Sequence, residues 1–173
     1  MKLTAKVKLQ PTPEQKDSLL RTLAIANDAC NYISECAWNS RTFGKFPLQK
    51  LVYNEVKDRF GLSAQVAILC IFKVADAYKK DKKTKRTFKP TGSIAFDPRI
   101  LSWQLEKNSV SIWSIEGRLK GVPFIASARA KELLAGERGQ SDLLLMKGEF
   151  YLFTSCDVDE PTPDDTDDML GVD

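Results

Sequence analysis

The chain closes on Leu170-Gly171-Val172-Asp173, a carboxylate at the end of an apolar run with strand character. A strand that ends on an aspartate fixes the oxygens while leaving them open to a divalent ion, which is how a two-metal phosphodiesterase presents its first ligand. On that reading Asp173 is at once a metal ligand and a catalytic residue of a site that needs further carboxylates. An aspartate that merely ends an apolar run is the plainer reading of these four residues by themselves. The sequence contains no histidine, and Cys30, Cys36, Cys70 and Cys156 are scattered without a C-x-x-C pair. The usual zinc spacings and the Ser-His and Cys-His nucleophilic pairs are therefore excluded. The four thiols are expected to be buried and reduced.

Cationic side chains carry the stronger signal. Lys79, Lys80, Lys82, Lys83, Lys85, Arg86 and Lys89 put seven positive charges into the eleven residues 79–89. The net charge of +3 conceals an asymmetry: eight of the 23 acids lie in residues 157–173, which hold no Lys or Arg, so residues 1–156 keep 26 basic against 15 acidic residues, a surplus of eleven. A surplus of this size fits a polyanionic partner, because each phosphate neutralised releases counterions. Lys2, Lys6 and Lys8 on one face of an initial strand, with Arg99, Arg118 and Lys120 in later turns, extend the basic run into a distributed phosphate-binding surface. Taken alone, the run 79–89 also reads as a solvated loop. Trp38, Trp103 and Trp113 could stack on unpaired bases or pack at the core.

The elements that would position these groups follow from periodicity. Leu3, Ala5, Val7 and Leu9 alternate with Thr4, Lys6 and Lys8, the pattern of a half-buried strand. Thr12-Pro13-Glu14-Gln15 is a helix start with a capping box, and Leu19, Leu23, Ala26, Cys30, Ile33 and Ala37 share one helical face to about Trp38. Leu48, Leu51, Val52, Val56 and Phe60 form a second stripe ended by Gly61; Ser63 opens a third helix with Ala67, Cys70, Ile71, Val74 and Tyr78 inward. Beyond the basic run, Ile94–Phe96, Ile100–Leu105, Val110–Ile115 and Val122–Ile125 have strand composition. Ser127–Leu134 reads as a short helix, and Leu143–Met146 with Phe150–Asp157 as a hairpin turning at Lys147-Gly148-Glu149. The expected fold class is α+β: a β-barrel from residues 1–10 and 88–157, with a helical insertion over 11–87 that ends in the basic linker 79–89. Residues 158–173 read as an acidic linker and the start of one further strand.

Four segments, in order, resemble the N-terminal half of TnpB, the transposon-encoded OrfB-type family related to type V CRISPR effectors. They are Gln10-Pro11-Thr12-Pro13-Glu14-Gln15, Ala24-Ile25-Ala26-Asn27-Asp28-Ala29-Cys30-Asn31-Tyr32, Phe96-Asp97-Pro98-Arg99-Ile100-Leu101-Ser102-Trp103 and Ile115-Glu116-Gly117-Arg118-Leu119-Lys120. The resemblance spans essentially the whole chain. It implies a wedge-type, OB-like antiparallel β-barrel with an inserted three-helix recognition domain, followed by a RuvC-like nuclease opening on Gly-Val/Ile-Asp, where Gly171-Val172-Asp173 falls. It implies guide RNA and target DNA with an adjacent short motif as partners, guide pairing supplying most of the sequence specificity. It implies Mg²⁺ as the cofactor of the full-length endonuclease. The remaining carboxylates and the zinc-ribbon cysteines of that family have no counterpart in the 173 residues, so this chain alone is expected to bind but not to cut.

Two other readings stay open at this point. One is a nuclease-inactive RNA-guided DNA-binding regulator; the other is an unrelated OB-like module for single strands or structured RNA. No stretch approaches the roughly 18–20 apolar residues that span a bilayer, and the N-terminus lacks a signal-peptide pattern, so no membrane partner and a cytoplasmic location are expected.

Overall fold

The computed structural model describes residues 1–162. Lys2–Leu9 forms strand β1 with Ala5, Val7 and Leu9 buried, as the alternation requires. Helix α1 (Pro13–Ser40) starts on the expected capping box: the Thr12 amide donates to Gln15 Oε1 at 3.0 Å, and the Gln15 amide donates to Thr12 Oγ1 at 3.2 Å. Its apolar stripe is fully buried at Leu19, Leu23, Ala26, Cys30, Ile33 and Ala37, and each such Leu or Ile contributes roughly 1.5–3 kcal/mol.

Helix α2 spans Lys45–Phe60 and ends on Gly61, whose φ of 63° closes the helix. Pro47 lies in its first turn rather than breaking it, because first-turn amides have no intrahelical acceptor to lose. Helix α3 (Ala64–Lys80) is capped by Ser63, whose hydroxyl accepts the Val66 amide.

The barrel strands are β2 (Ile94–Phe96), β3 (Leu101–Gln104), β4 (Ser109–Ser114), β5 (Gly117–Ile125), β6 (Glu137–Met146) and β7 (Glu149–Asp157), with helix α4 (Ala128–Ala135) between β5 and β6. All pairings are antiparallel, in the order β2-β6-β7-β1-β5-β4-β3. The seven strands form a nearly closed barrel in a mixed α+β protein. The turn between β2 and β3 brings the two edge strands near one another, through amides of Ile100 and Leu101 on the Asp97 carbonyl at 3.1 and 3.0 Å.

Two strands run longer than their composition indicates. Strand β5 begins at Gly117 rather than Val122, and β6 begins at Glu137 rather than Leu143. In both, polar residues gain backbone partners from a neighbouring strand, and one extra residue is absorbed as a bulge. In β5 the shift opposite Val110 and Ile112 falls at Lys120-Gly121, where Gly121 takes φ 66°; in β6 it falls between Arg138 and Ser141.

The core of the barrel (Val7, Leu9, Phe96, Ile112, Phe124, Leu143, Phe150, Leu152) is continuous with that of the three helices. Polar contacts lock the two together. Glu116, in the turn between β4 and β5, accepts the Ser18 hydroxyl at 2.7 Å and pairs with Arg21, and the Ile115 amide donates to Thr22 Oγ1 at 3.0 Å. The Ser18 hydrogen bond and then Arg21 hold the Glu116 carboxyl below its ordinary range.

Candidate nucleic-acid interface

Lys79 and Lys80 end α3, and the rest of the basic run is a strap tied to α1 at Arg86 and Phe88. Asn27, Asn31 and Ser34 follow at spacings of four and three, which puts them on one helical face. Asn31 accepts the Phe88 amide at 2.8 Å and donates to the Phe88 carbonyl at 3.0 Å, so its amide replaces the neighbouring strand that residue 88 would otherwise need. Ser34 donates to the Arg86 carbonyl at 2.5 Å, which leaves its oxygen to accept the Tyr78 hydroxyl at 2.8 Å. The Arg86 amide in turn donates to Tyr78 Oη at 3.2 Å. Fully buried Asn27 donates to the Gly92 carbonyl at 2.9 Å and accepts Lys73 Nζ at 2.8 Å; Lys73 reaches on to the Ser93 carbonyl at 2.6 Å. Gly92 is a close approach: a Cβ there would stand 3.1 Å from both Asn27 Oδ1 and the Lys89 carbonyl.

This anchoring fixes the backbone and sorts the cations. Lys79 pairs with Asp76 at 3.6 Å, Lys85 with Glu35 at 2.5 Å and Arg86 with Asp81 at 3.5 Å. Lys85 holds the Glu35 carboxyl low; the Lys83 amide, with Thr84 and Arg86 behind it, does the same for Asp81. Lys80, Lys82, Lys83 and Lys89 are exposed and form no ion pair among the described residues. The seven expected phosphate contacts thus divide into four uncommitted ammonium groups and three that already hold a carboxylate.

On the barrel, Arg118 spends its guanidinium on the sheet. Nε donates to Ser111 Oγ at 2.7 Å, and Nη2 to Ser102 Oγ at 3.2 Å; Nη1 reaches the Arg99 carbonyl at 3.4 Å. Arg99 donates to Gln65 Oε1 at 2.7 Å, tying the β2–β3 turn to α3. Lys120 is exposed beside Ser102, Gln104 and Lys107 on an open, hydroxyl-rich groove. Lys6 and Lys8 project from the outward face of β1, away from the strap residues and on a different groove. The expected site residues are therefore spread over the strap, the β3–β5 face and the β1–β7 face.

Trp38, Trp103 and Trp113 are partly buried and pack on the core; Trp103 meets Phe124 edge to face at 5.4 Å, and Arg41 covers Trp38 at 4.6 Å. Cys30, Cys70 and Cys156 are buried and Cys36 is half-buried, all as free thiols; the hydrogen bond with Cys30 and burial push the Cys70 thiol up. Asp173 and the expected strand 170–173 lie outside the described residues. Among the described residues no three acidic or thiol side chains gather to hold a metal ion. The Mg²⁺ implied by the resemblance would be held through Asp173 together with further carboxylates. No described helix is long and apolar enough to cross a membrane.

Periodicity alone did not single out Asn27, Asn31 and Ser34 as anchors. The available signal was polar residues in register on the edge of an otherwise apolar helical stripe. The sequence matches no known family model and no curated protein.

Proposed function

We propose that this chain grips nucleic acid as the N-terminal part of a TnpB-type RNA-guided DNA endonuclease does, holding a guide RNA and the DNA beside its target in the cytoplasm. The observation that carries the reading is the strap. A segment with seven cations would repel itself as a free loop; here Lys79 and Lys80 end α3 and the backbone at Arg86 and Phe88 is pinned to α1, so the four uncommitted ammonium groups extend from a segment held at both ends. A held backbone leaves only the lysine side chains to be ordered on a phosphate backbone. The α+β architecture supports the same reading: the three helices lie between β1 and β2 in the chain, where a recognition insertion in a wedge-type, OB-like barrel belongs.

Two measurements test it. Nucleic acid copurifying with the protein is expected to be one discrete noncoding RNA; purified protein that carries none and binds no RNA in a filter assay would remove the proposal. Replacing Lys80, Lys82, Lys83 and Lys89 with Gln is expected to flatten the salt dependence by about 0.7–0.9 log units per residue that contacts phosphate. Replacing Lys79, Lys85 and Arg86 should flatten it less, because binding there must first break an ion pair.

A further inference from the structure

Strand alternation places Tyr151 and Phe153 on the outward side of β7, while Phe150, Leu152, Thr154 and Cys156 point into the barrel. Across the β1–β7 ladder Lys8 stands opposite Tyr151 and Lys6 opposite Phe153. Directly opposed side chains in an antiparallel pair are neighbours, with Cβ atoms about 4.5–5.5 Å apart. Lys6 Nζ accordingly lies 5.0 Å from the Phe153 ring centroid. The two rings border an open groove of about 720 Å³, with Lys6, Lys8, Ile125 and Met146 on its walls and no carboxylate among its lining residues. Ile125 is 52% and Met146 39% exposed, so the apolar surface continues past the rings. On the β6 side, Asp142 faces Phe153 in register but turns to Gln140 at 3.4 Å and lines the neighbouring cleft with Lys73.

We propose that this outward face of β1 and β7 is a stacking platform for unpaired nucleobases, with Tyr151 and Phe153 taking the bases and Lys6 and Lys8 meeting the phosphates. The inference rests on the nucleic-acid reading above and assigns a separate surface to single-stranded segments. The spacing favours unpaired over paired strands. Residues two apart on a strand are about 6.6 Å apart, roughly twice the 3.4 Å rise of a stacked helical strand, so each ring receives one base of a splayed, extended segment. Aromatic faces accept any base, and a flanking ammonium group supplies the charge that an apolar protein partner would not need. The surplus of eleven positive charges over residues 1–156 matches a polyanion as the occupant. When a base stacks on Phe153, the Lys6 ammonium leaves the ring for the adjacent phosphate.

The test is fluorescence anisotropy on the full chain with two single-stranded DNA oligonucleotides of equal length, one of mixed sequence and one fully abasic. The wild-type protein is expected to prefer the base-bearing strand by at least about fivefold, the low end for one stacked base. Tyr151→Ala with Phe153→Ala should erase the preference while keeping the affinity for the abasic strand. Tyr151→Phe should retain the preference. Phe153→Leu keeps apolar bulk without a planar ring, and should lower the preference even if the double variant fails to fold. Equal binding of both strands by the wild type, or a preference that survives ring removal, would overturn the platform and leave the phosphate-binding reading standing. Binding of neither strand would overturn the platform, and the copurifying RNA would then decide the nucleic-acid reading by itself. A dimer that becomes monomeric on Phe153→Leu with the preference unchanged would assign the face to a second copy of the chain and overturn the proposal.

Discussion

On β3, β4 and β5 the positions facing away from Val110 and Ile112 include Ser102, Gln104, Ser109, Ser111 and Arg118; on β1 and β7 the corresponding outward positions include Lys6, Lys8, Tyr151 and Phe153. These side chains of the first set are matched with one another, although exposed Lys120 lies beside them. Arg118 bridges the serine hydroxyls, Ser109 donates to Gln104 Oε1 at 3.2 Å, and Ser109 and Ser111 are buried beneath these side chains. The second set has no such closure: its rings are half-exposed, and its lysines form no ion pair among the described residues. A polar surface is therefore not the same thing as an available one. Donors already matched with acceptors stabilise the sheet, and groups left unmatched can meet a ligand without first giving up a partner.

The contrast is sharpest along β7 itself. Leu152→Ala, inside the barrel, should cost about 2–5 kcal/mol in urea denaturation, whereas outward Phe153→Ala should cost less than about 1 kcal/mol. Equal losses would mean that the outward rings are a second core and not a free face. Across the barrel, Arg118→Ala should cost about 1–2 kcal/mol by the same measurement, with Lys120→Gln within about 0.5 kcal/mol of wild type. A neutral Arg118 variant would put its guanidinium in the same class as Lys6 and Lys8. The smallest effect is expected at Glu116. Its carboxyl is lowered from an ordinary 4.5 by Ser18 and Arg21, so the stability it contributes is complete above roughly pH 4.5 and is lost as pH falls through its folded value. Glu116→Gln should make the thermal midpoint less sensitive to pH over that acid window, and an unchanged acid profile would show that the helix–barrel dock does not depend on this charge.

Much of this arrangement can be read from residue patterns. The Thr12/Gln15 cap, the helical stripe to Ala37, the Gly61 stop, the Ser63 and Ser127 starts and the turn at Lys147-Gly148-Glu149 all depend on local chemistry, and each stands where periodicity puts it. The early halves of β5 and β6 were hidden because Gly117–Gly121 and Glu137–Asp142 become strands through neighbours distant in the chain. The binding surface was legible in kind but not in detail. Charge density marked the strap, yet which lysines stay uncommitted depends on Glu35 and Asp76, which lie outside the run. Tyr151 and Phe153 were read as part of a hairpin; their pairing with Lys6 and Lys8 needs the β1–β7 register, which no local pattern contains.

That register also sets an order of events during synthesis. Met1 and Val158 exchange hydrogen bonds at 3.0 and 2.9 Å across 157 positions of chain. Strand β1 pairs with β7 from Lys2 to Lys8, but with β5 only at Lys8 and Leu9. Strand β1 thus waits for β7 before its edge is covered, while the helices of residues 13–80 can close early on contacts made among themselves. Until Glu149–Asp157 emerges, the nascent chain carries an unpaired strand with one apolar side, and the alternating lysines of β1 disfavour pairing of that edge with another chain.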